Sequence, residues 1–412
     1  MLTPETPQRF DMNSTTERIL KNPFYVETPE TPTQLGPKGL RYDFNDGARL
    51  WLPKGEWYVE LSDSETGNII FSTNTDGDWV LSAKKYFIPF KIRVWERLAE
   101  KPFFEHTMDL KDKEVLIKCP VGTLGDIIAW MTYIDRFQKK HQCKAEVCMQ
   151  NKLAEIFEGQ YPNLTFTHLP GEAKTKNPYA SYYMGLFFNG DTTFQPIDFR
   201  QVGLHTTAGL ILGVDTSEEA PKVKLGSERK IKERYVCIAC KGSSQNKMWN
   251  NGYGWDEVVD YLKSIGYRVL CIDKERTTGQ GFVWNKMPYG VEDFTGNLPL
   301  QERIELLEHA DFFIGLASGL AWLAWCCHIP IIMISGFSLP YCEFYTPYRV
   351  FNAQGCNGCW NDVNVKFERT YFWCPRHAGT SRQFECTRLI TGSQVIGYIK
   401  RLMKDHNLKE II

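Results

Sequence analysis

Four cysteines near the C-terminus have the spacing of a metal site. Cys356 and Cys359 form a CxxC pair, and Cys374 and Cys386 follow in a segment with few aliphatic residues. A CxxC turn with two further cysteines is typical of a closed tetrahedral site with four thiolates. Thiolates suit zinc or iron, and a closed site leaves no position for a substrate. We therefore expect a structural metal here, with Cys342 and His377 as alternative ligands.

A carboxylate follows the first long apolar run that looks like a buried strand. In CPVGTLGDIIAW, Asp126 lies where a loop turns into a helix. Asp at this place commonly caps the helix by accepting N–H groups, which is the structural interpretation. The functional interpretation is a general base that takes the proton of an attacking hydroxyl. The residues alone leave both open.

A second loop of the same kind has the composition of an anion site. Ser243, Ser244 and Lys247 follow the apolar run RYVCIAC and precede a predicted helix. Backbone N–H groups, two hydroxyls and one ammonium suit a diphosphate. The loop lacks the GxxxxGK[ST] spacing, so it is not a P-loop.

Two further positions complete a possible nucleotide site. An acidic residue at the end of the next strand often binds ribose hydroxyls, which favours Glu275 for this role, with Asp273 as substitute; a solvated loop charge is the alternative interpretation. Ser318 and Gly319 open another predicted helix, where backbone N–H groups can hold a phosphate. Gly319 alternatively only relieves crowding.

The elements that must position these residues alternate regularly. From about residue 113, and again from 234, strand-like runs alternate with amphipathic helical runs, which predicts parallel sheets. The charged, aperiodic segment 216–233 is the expected linker. Two doubly wound domains so joined form a cleft at the carboxyl ends of their strands.

The region before residue 100 has another pattern. Short alternating runs separated by turn signals predict a small antiparallel β-barrel or sandwich over residues 41–100. It is either a packing platform or a surface for oligomerisation or acceptor docking. Residues 1–40, rich in Pro and Thr, are expected to be extended.

Composition excludes several classes of function. Lys plus Arg is 48 and Asp plus Glu is 49, so there is no global positive charge to hold a nucleic acid. The apolar stretch 312–335 is interrupted by Gly315, Ser318 and Pro330, which favours two strands and a helix over a membrane span.

The cysteine content and the first residues indicate the compartment. The first 20 residues have no apolar signal-peptide core, and thirteen cysteines, with Cys326 adjacent to Cys327, do not form a disulfide pattern. We therefore expect reduced thiols in the cytoplasm.

Three motifs carry a resemblance to a known family. GTLGDIIAW, the KMW of SSQNKMW, and ASGLAWLAW resemble the heptosyltransferases of the two-Rossmann-domain (GT-B) glycosyltransferase fold. With the N-terminal β region and the four-cysteine segment, the whole chain resembles the bacterial autotransporter heptosyltransferases. One departure is Ala317, where the lipopolysaccharide enzymes carry an Asp before their Thr-Gly-Leu.

The resemblance implies an inverting protein O-heptosyltransferase. Its donor is ADP-heptose, its acceptors are serines of an autotransporter adhesin passenger domain, and it forms a dodecamer with a ferric ion in the cysteine segment. Asp126 is then the base and Lys247 contacts the donor diphosphate, with Ser318, Gly319 and Leu320 near the phosphates. The implied organisation is an extended segment (1–40), a β domain (41–100), an acceptor domain (101–225), a donor domain (226–350), and a cysteine segment with a C-terminal helix (351–412).

Two other functions stay open at this point. One is a GT-B glycosyltransferase with another nucleotide sugar or a lipopolysaccharide acceptor. The other is a non-catalytic scaffold that binds sugar nucleotides, against which the pair Asp126 and Lys247 argues.

Overall fold

Two sheets with parallel cores form the body of the protein in a computed structural model that describes residues 24–188 and 190–410. Most of the predicted extended segment (1–40) lies outside the described residues. The N-terminal half contains twelve described strands and four described helices. Its strands are β1 (Gln34–Leu35), β2 (Arg41–Asn45), β3 (Arg49–Leu52), β4 (Trp57–Asp63), β5 (Ile69–Thr75), β6 (Asp78–Leu81), β7 (Phe90–Glu96), β8 (Phe104–Thr107), β9 (Glu114–Cys119), β10 (Lys144–Gln150), β11 (Leu164–Leu169) and β12 (Ala180–Tyr183). Its helices are α1 (Leu124–His141), α2 (Asn151–Ala154), α3 (Phe199–Val202) and α4 (Leu204–Leu212).

The N-terminal β region is continuous with the first parallel sheet. The strand order is β11-β10-β9-β12-β2-β3-β6, with β1 on the side of β2, and it is parallel from β11 to β2. A second, antiparallel sheet (β5-β4-β7-β8) shares one hydrophobic core with it. The antiparallel region is therefore present, but β2, β3 and β6 extend the doubly wound sheet rather than closing a barrel. The domain bounds stay a prediction.

The C-terminal half is a second doubly wound unit. Its six-stranded sheet has the order β17-β14-β13-β18-β19-β20 and is parallel throughout. Its elements are β13 (Tyr235–Ala239), α5 (Gly254–Ser264), β14 (Arg268–Cys271), the hairpin β15 (Thr277–Gln280) and β16 (Val283–Lys286), β17 (Glu292–Asp293), α6 (Leu300–Leu307), β18 (Phe313–Leu316), α7 (Gly319–Cys326), β19 (Ile331–Ile334), β20 (Arg349–Val350), α8 (Glu385–Arg388) and α9 (Gly392–Asp405).

The linker between the halves is irregular but attached to both. Within the described chain, residues 215–232 form neither helix nor strand. Arg136 of α1 pairs with Glu219 at 2.7 Å, and the Gly226 and Ser227 N–H groups donate to Glu308 of the C-terminal half. The predicted linker is thus confirmed as a connection that lies on both halves.

The two halves also touch through the N-termini of α1 and α7. A Cβ placed at Gly125 would lie 2.9 Å from Cδ1 of Trp322, and one at Gly319 would lie 2.9 Å from Cβ of Leu124. These helices follow β9 and β18, so the contact lies at the carboxyl ends of both parallel sheets. The absence of two side chains allows the halves to approach here.

We predict that Gly125→Ala destabilises the protein by about 1–3 kcal/mol, because the new methyl group overpacks the contact with Trp322. The measurement is the denaturant midpoint. Gly397→Ala is the matched control, since this glycine lies in α9 with nothing within 4 Å of the added Cβ. We expect the control to stabilise by up to about 1 kcal/mol. Equal shifts in the same direction would contradict the prediction.

Candidate active site

One cleft between the halves collects the residues predicted for catalysis and donor binding. It has a volume of about 1160 Å³ and lies at the carboxyl ends of β9, β13, β14 and β18. The predicted residues that line it are Asp126, Ser243, Ser244, Lys247, Glu275, Ser318, Gly319 and Leu320. The topology therefore brings together residues that are far apart in sequence.

Asp126 lies buried in the cleft wall at the start of α1. The N-cap of α1 is Thr123, and Asp126 is the third helical residue, so the N-cap interpretation of Asp126 is wrong in its position. Its Oδ2 accepts the Thr123 N–H at 2.6 Å and the Thr123 hydroxyl at 2.9 Å, as in a capping box. The side chain thus has a structural role and faces the cleft as well.

Burial and a nearby cation act in opposite directions on this carboxylate. Asp126 is 8 % exposed, and its burial raises its pKa above that of a free carboxylate. The Thr123 N–H and the charge of Lys247 lower the pKa, but the effect of burial is larger. Asp126 and Lys247 are therefore close enough to interact across the cleft, and the raised pKa suits proton acceptance.

The donor loop, residues 243–247, is a tight turn after β13. It forms a short 3-10 helix over Gln245–Lys247, and the Lys247 ammonium lies 5.6 Å from the centroid of the Phe337 ring. A Cβ at Gly242 would lie 2.8 Å from Cβ of Lys247. The lack of a side chain at Gly242 allows Lys247 to lie over its own loop, where it faces Asp126.

The two acidic candidates after β14 differ in their environment. Asp273 is 2 % exposed, and its oxygens accept the N–H groups of Cys240 (2.9 Å) and Lys241 (3.3 Å). Its burial raises its pKa. Glu275 is exposed at the cleft. Asp273 thus holds the loop, and Glu275 is the carboxylate accessible to a ligand.

Two helix N-termini point into the same space. Both α1 and α7 begin at the cleft, with Thr123 and Ser318 as their N-caps. The N-terminus of a helix carries a partial positive charge and free N–H groups, which favours an anionic ligand. A Cβ at Gly319 would lie too close to Leu124, which supports the interpretation that this glycine relieves crowding.

Sequence reasoning missed part of the cleft wall. Lys241 lines the cleft, and its ammonium donates to the carbonyls of Glu275 and Arg276, each at 2.7 Å. The cysteine segment contributes Arg369 and Tyr371 to the cleft wall. The basic and aromatic run RTYFW (369–373) between two cysteines is compatible with a binding surface, whereas the cysteine spacing by itself predicts only a metal segment.

The four predicted metal ligands line a second, much smaller cavity. Its volume is about 20 Å³, which is the size of one small atom or ion. Its wall contains Cys356, Cys359, Cys374 and Cys386 together with His377 and Glu385. This donor set fits a soft or borderline metal ion.

The two alternative metal ligands, His377 and Cys342, lie in different places. His377 belongs to the cavity, since its ring nitrogen, the Cys356 sulfur and a Glu385 oxygen lie within 4.8 Å of one another. Cys342 lines the large cleft instead. Glu385 accepts the Cys356 N–H at 2.8 Å and pairs with Arg382 at 2.6 Å. Its oxygens therefore already support the cysteine loop.

The remaining cysteines and the apolar stretch agree with the sequence analysis. All thirteen cysteines fall within the described residues and are free thiols. The stretch 312–335 is divided into β18, α7 and β19. Within residues 24–188 and 190–410, no helix has the length and apolar character needed to cross a membrane.

Family models of known proteins match two separate parts of the chain. A family model for the N-terminal domain of glycosyltransferase TibC matches residues 36–98. A model for glycosyltransferase family 9 (heptosyltransferase) matches residues 199–364. The predicted β region and the predicted GT-B unit are both supported.

Relatives match nearly the whole chain. Autotransporter heptosyltransferase Aah of Escherichia coli is 56% identical over 379 residues, which are 92% of this chain and 97% of Aah. BimC of Burkholderia thailandensis, described as an inactive autotransporter heptosyltransferase, is 36% identical over 371 residues, 89% of this chain and 86% of BimC.

A solved structure has the same fold over the same range. It is the dodecameric, iron-containing heptosyltransferase TibC of E. coli H10407 in complex with ADP-D-beta-D-heptose. Its TM-score with this chain is 0.91 at 53% identity, covering 92% of this chain and 100% of the TibC chain. The predicted fold and the family resemblance are thereby confirmed: this chain belongs to the autotransporter heptosyltransferases.

Proposed function

We propose that this protein transfers a heptosyl group from ADP-heptose to serine hydroxyls of an autotransporter adhesin passenger domain, with inversion. The observation that carries this proposal is that a buried carboxylate, Asp126, and a lysine, Lys247, line one cleft from opposite walls and interact through their charges. A base on one side and a cation on the other are what a displacement at a sugar carbon requires.

The reaction is a single in-line displacement. The serine Oγ forms a bond to the anomeric carbon, the bond from that carbon to the β-phosphate oxygen breaks, and ADP leaves. The serine proton passes to the carboxylate of Asp126, whose raised pKa favours acceptance. The negative charge that develops on ADP is balanced by Lys247 and by the N-termini of α1 and α7.

Donor recognition follows from the C-terminal wall of the cleft. Ser243, Ser244 and Lys247 are assigned to the diphosphate, together with Ser318, Gly319 and Leu320 at the start of α7. Glu275 is assigned to the ribose hydroxyls, since it is exposed at the cleft while Asp273 is occupied by backbone N–H groups.

The four cysteines are assigned to one iron ion, with zinc as the alternative. Cys356, Cys359, Cys374 and Cys386 surround the small cavity, and the related TibC is an iron-containing enzyme. A metal bound by all four cysteines would stabilise the folded form of this loop-rich segment. TibC is also dodecameric, and we extend that assembly to this chain as a homo-oligomer.

We place the protein in the bacterial cytoplasm. Its free cysteines, several of them fully buried, are compatible with a reducing compartment.

Two other functions are alternative candidates for this protein. BimC, an inactive relative, makes a non-catalytic scaffold the second candidate. A GT-B transferase with another sugar or a lipopolysaccharide acceptor is the third.

The decisive experiment is co-expression with an autotransporter passenger, followed by intact-mass analysis. We expect mass increments of one heptose with the wild type and a fall of about 10²–10⁴-fold in transfer rate with Asp126→Asn. The asparagine oxygen can still accept the Thr123 N–H, so the fold and ADP affinity are retained. A folded Asp126→Asn protein that transfers at the wild-type rate would rule out this base. A wild type that binds ADP-heptose and modifies no protein would favour the scaffold.

The pH dependence gives an independent check of the same carboxylate. Because the pKa of Asp126 is raised, its basic form is lost at a higher pH than for an exposed carboxylate. We therefore expect kcat/KM to fall as pH decreases through that raised pKa, and we expect the residual rate of Asp126→Asn to lack this acidic limb.

Lys247→Ala should weaken donor binding through loss of a point charge. We expect ADP affinity to fall more than adenosine affinity, because only ADP carries the diphosphate that the ammonium faces. The transfer rate should fall by about 10²–10³-fold, the usual cost of removing one charge-stabilising donor. Calorimetry with both ligands provides the measurement and its internal control; equal losses for ADP and adenosine would exclude contact with the diphosphate.

Cys374→Ser should release the metal and disorder the segment around it. In small zinc modules the metal contributes about 10–16 kcal/mol of apparent folding energy, so the loss of one ligand should lower solubility or assembly size. Elemental analysis and light scattering on the same sample are the measurements. Cys342→Ser is the control, since this thiol lines the large cleft, and it should retain one metal per chain. A Cys374→Ser protein with wild-type metal content and size would show that the ligands are others.

A further inference from the structure

The stretch between two of the assigned metal ligands crosses from one half of the protein to the other. We call residues 360–371, which lie between Cys359 and Cys374, the bridging arm. Trp360, Phe367 and Tyr371 of this arm line the large cleft. The arm is therefore part of the active-site wall as well as a connection between metal ligands.

The N-terminal half holds the arm through one buried arginine. Arg200 of α3 is 1 % exposed, and its guanidinium donates to the carbonyls of Val365 (3.3 Å) and Val363 (3.4 Å). Asp198 fixes the guanidinium through two hydrogen bonds of 2.7 and 3.0 Å. The backbone carbonyl of Arg200 accepts the side-chain N–H of Asn361 at 2.7 Å. One residue thus holds the arm by its side chain and its main chain.

Stacked rings reinforce this anchor. Phe188 of the N-terminal half stacks on Phe367 of the arm, with ring centroids 5.2 Å apart and an angle of 9° between the planes. The Arg200 guanidinium lies 5.6 Å from the centroid of the Phe188 ring. A buried, fully paired arginine has little freedom to move, so this end of the arm is rigid.

The other end of the arm holds the donor loop. The Gln245 N–H donates to the Tyr371 carbonyl at 2.9 Å. Asn285 of the hairpin donates to the Gln245 side-chain oxygen at 2.8 Å and to the Tyr371 hydroxyl at 3.4 Å. Gln245 lies between Ser244 and Lys247, so the arm contacts the loop assigned to the donor diphosphate.

We propose that Arg200 is a positioning residue for transfer, because through the bridging arm it sets the donor loop of the C-terminal half against Asp126 of the N-terminal half. The inference rests on the proposed function and adds a residue that touches neither substrate. The contact of α1 with α7 is one point of attachment between the halves, and the arm is a second. Two attachments restrict rotation about either one, which keeps the base and the lysine at a productive separation.

The test compares two arginine–aspartate pairs. In Arg200→Met the arm loses its anchor, and we expect kcat for transfer to fall about 10²-fold, the cost of misplacing reacting groups by about 1 Å. Metal content should stay at the wild-type value, since the cysteines are retained, and ADP affinity should fall much less than kcat, since Lys247 is retained. Arg49→Met is the matched control: Arg49 pairs with Asp43 at 2.6 and 2.7 Å and donates to the Pro29 carbonyl, all within the N-terminal half. We expect it to lose stability without a comparable loss of kcat.

Hydrogen exchange distinguishes an effect of Arg200 on the donor loop from a general loss of protein stability. We expect Arg200→Met to speed amide exchange in residues 243–247 as well as in the arm, because the Gln245 N–H depends on Tyr371. Arg200→Lys keeps a charge next to Asp198 without the guanidinium fork, and should lie between wild type and Arg200→Met; it also replaces Arg200→Met if that variant does not fold. A wild-type kcat in a folded Arg200 variant, or equal kcat losses in Arg200→Met and Arg49→Met, would overturn the inference. If the wild type transfers no sugar, the proposed function fails, and the exchange at 243–247 still decides the role of Arg200.

Discussion

The close approach of α1 and α7 is the constraint on which the active site depends. Gly125 and Gly319 leave room for Trp322 and Leu124, so the two helix N-termini face the same small volume. Each helix follows a strand of its own parallel sheet, and the carboxyl ends of both sheets consequently meet there. Because neither glycine carries a side chain, the helices approach closely enough for the proposed base of the N-terminal half and the proposed cation of the C-terminal half to line one cleft.

The same constraint explains the electrostatics of the site. Asp126 is buried in the cleft wall at the start of α1, and its burial raises its pKa despite the opposing charge of Lys247. A carboxylate fully paired with a lysine would be a weak base, whereas one with only its capping hydrogen bonds keeps basicity. The capping box therefore orients the carboxylate without neutralising it. This combination accounts for how one residue serves both helix α1 and the proposed chemistry.

Local patterns in the sequence predict most of the strands and helices, and they place the candidate site residues at strand-to-loop junctions. Apolar runs such as EVLIKC and DFFIGL predict buried strands, and the residues that follow them converge because parallel strands end at one edge. Long-range pairing was not predictable in this way. The attachment of β2 to β12 joins residues far apart in the chain, and no local signal indicates it. The run NKLAEIFEGQ (151–160) has the composition of a helix, but α2 ends at Ala154, because the chain continues in tighter turns closed by bonds such as Phe157 N–H to the Ala154 carbonyl.

The cysteine segment lines the large cleft as well as the small cavity, although its cysteine spacing predicts only a metal site. Its spacing points to a metal, and the four thiols do surround an ion-sized cavity. Between the second and third cysteines, the basic and aromatic run RTYFW suits a binding surface, but its local pattern does not indicate which surface it reaches, so the place of Arg369 and Tyr371 in the cleft wall follows only from the fold. The position of that stretch is set by its two ends and by Arg200, a buried charge from the other half. Under the proposed assignment, a metal that orders this segment also orders the part of the cleft wall built from it, so metal binding and donor binding would depend on the same stretch of chain.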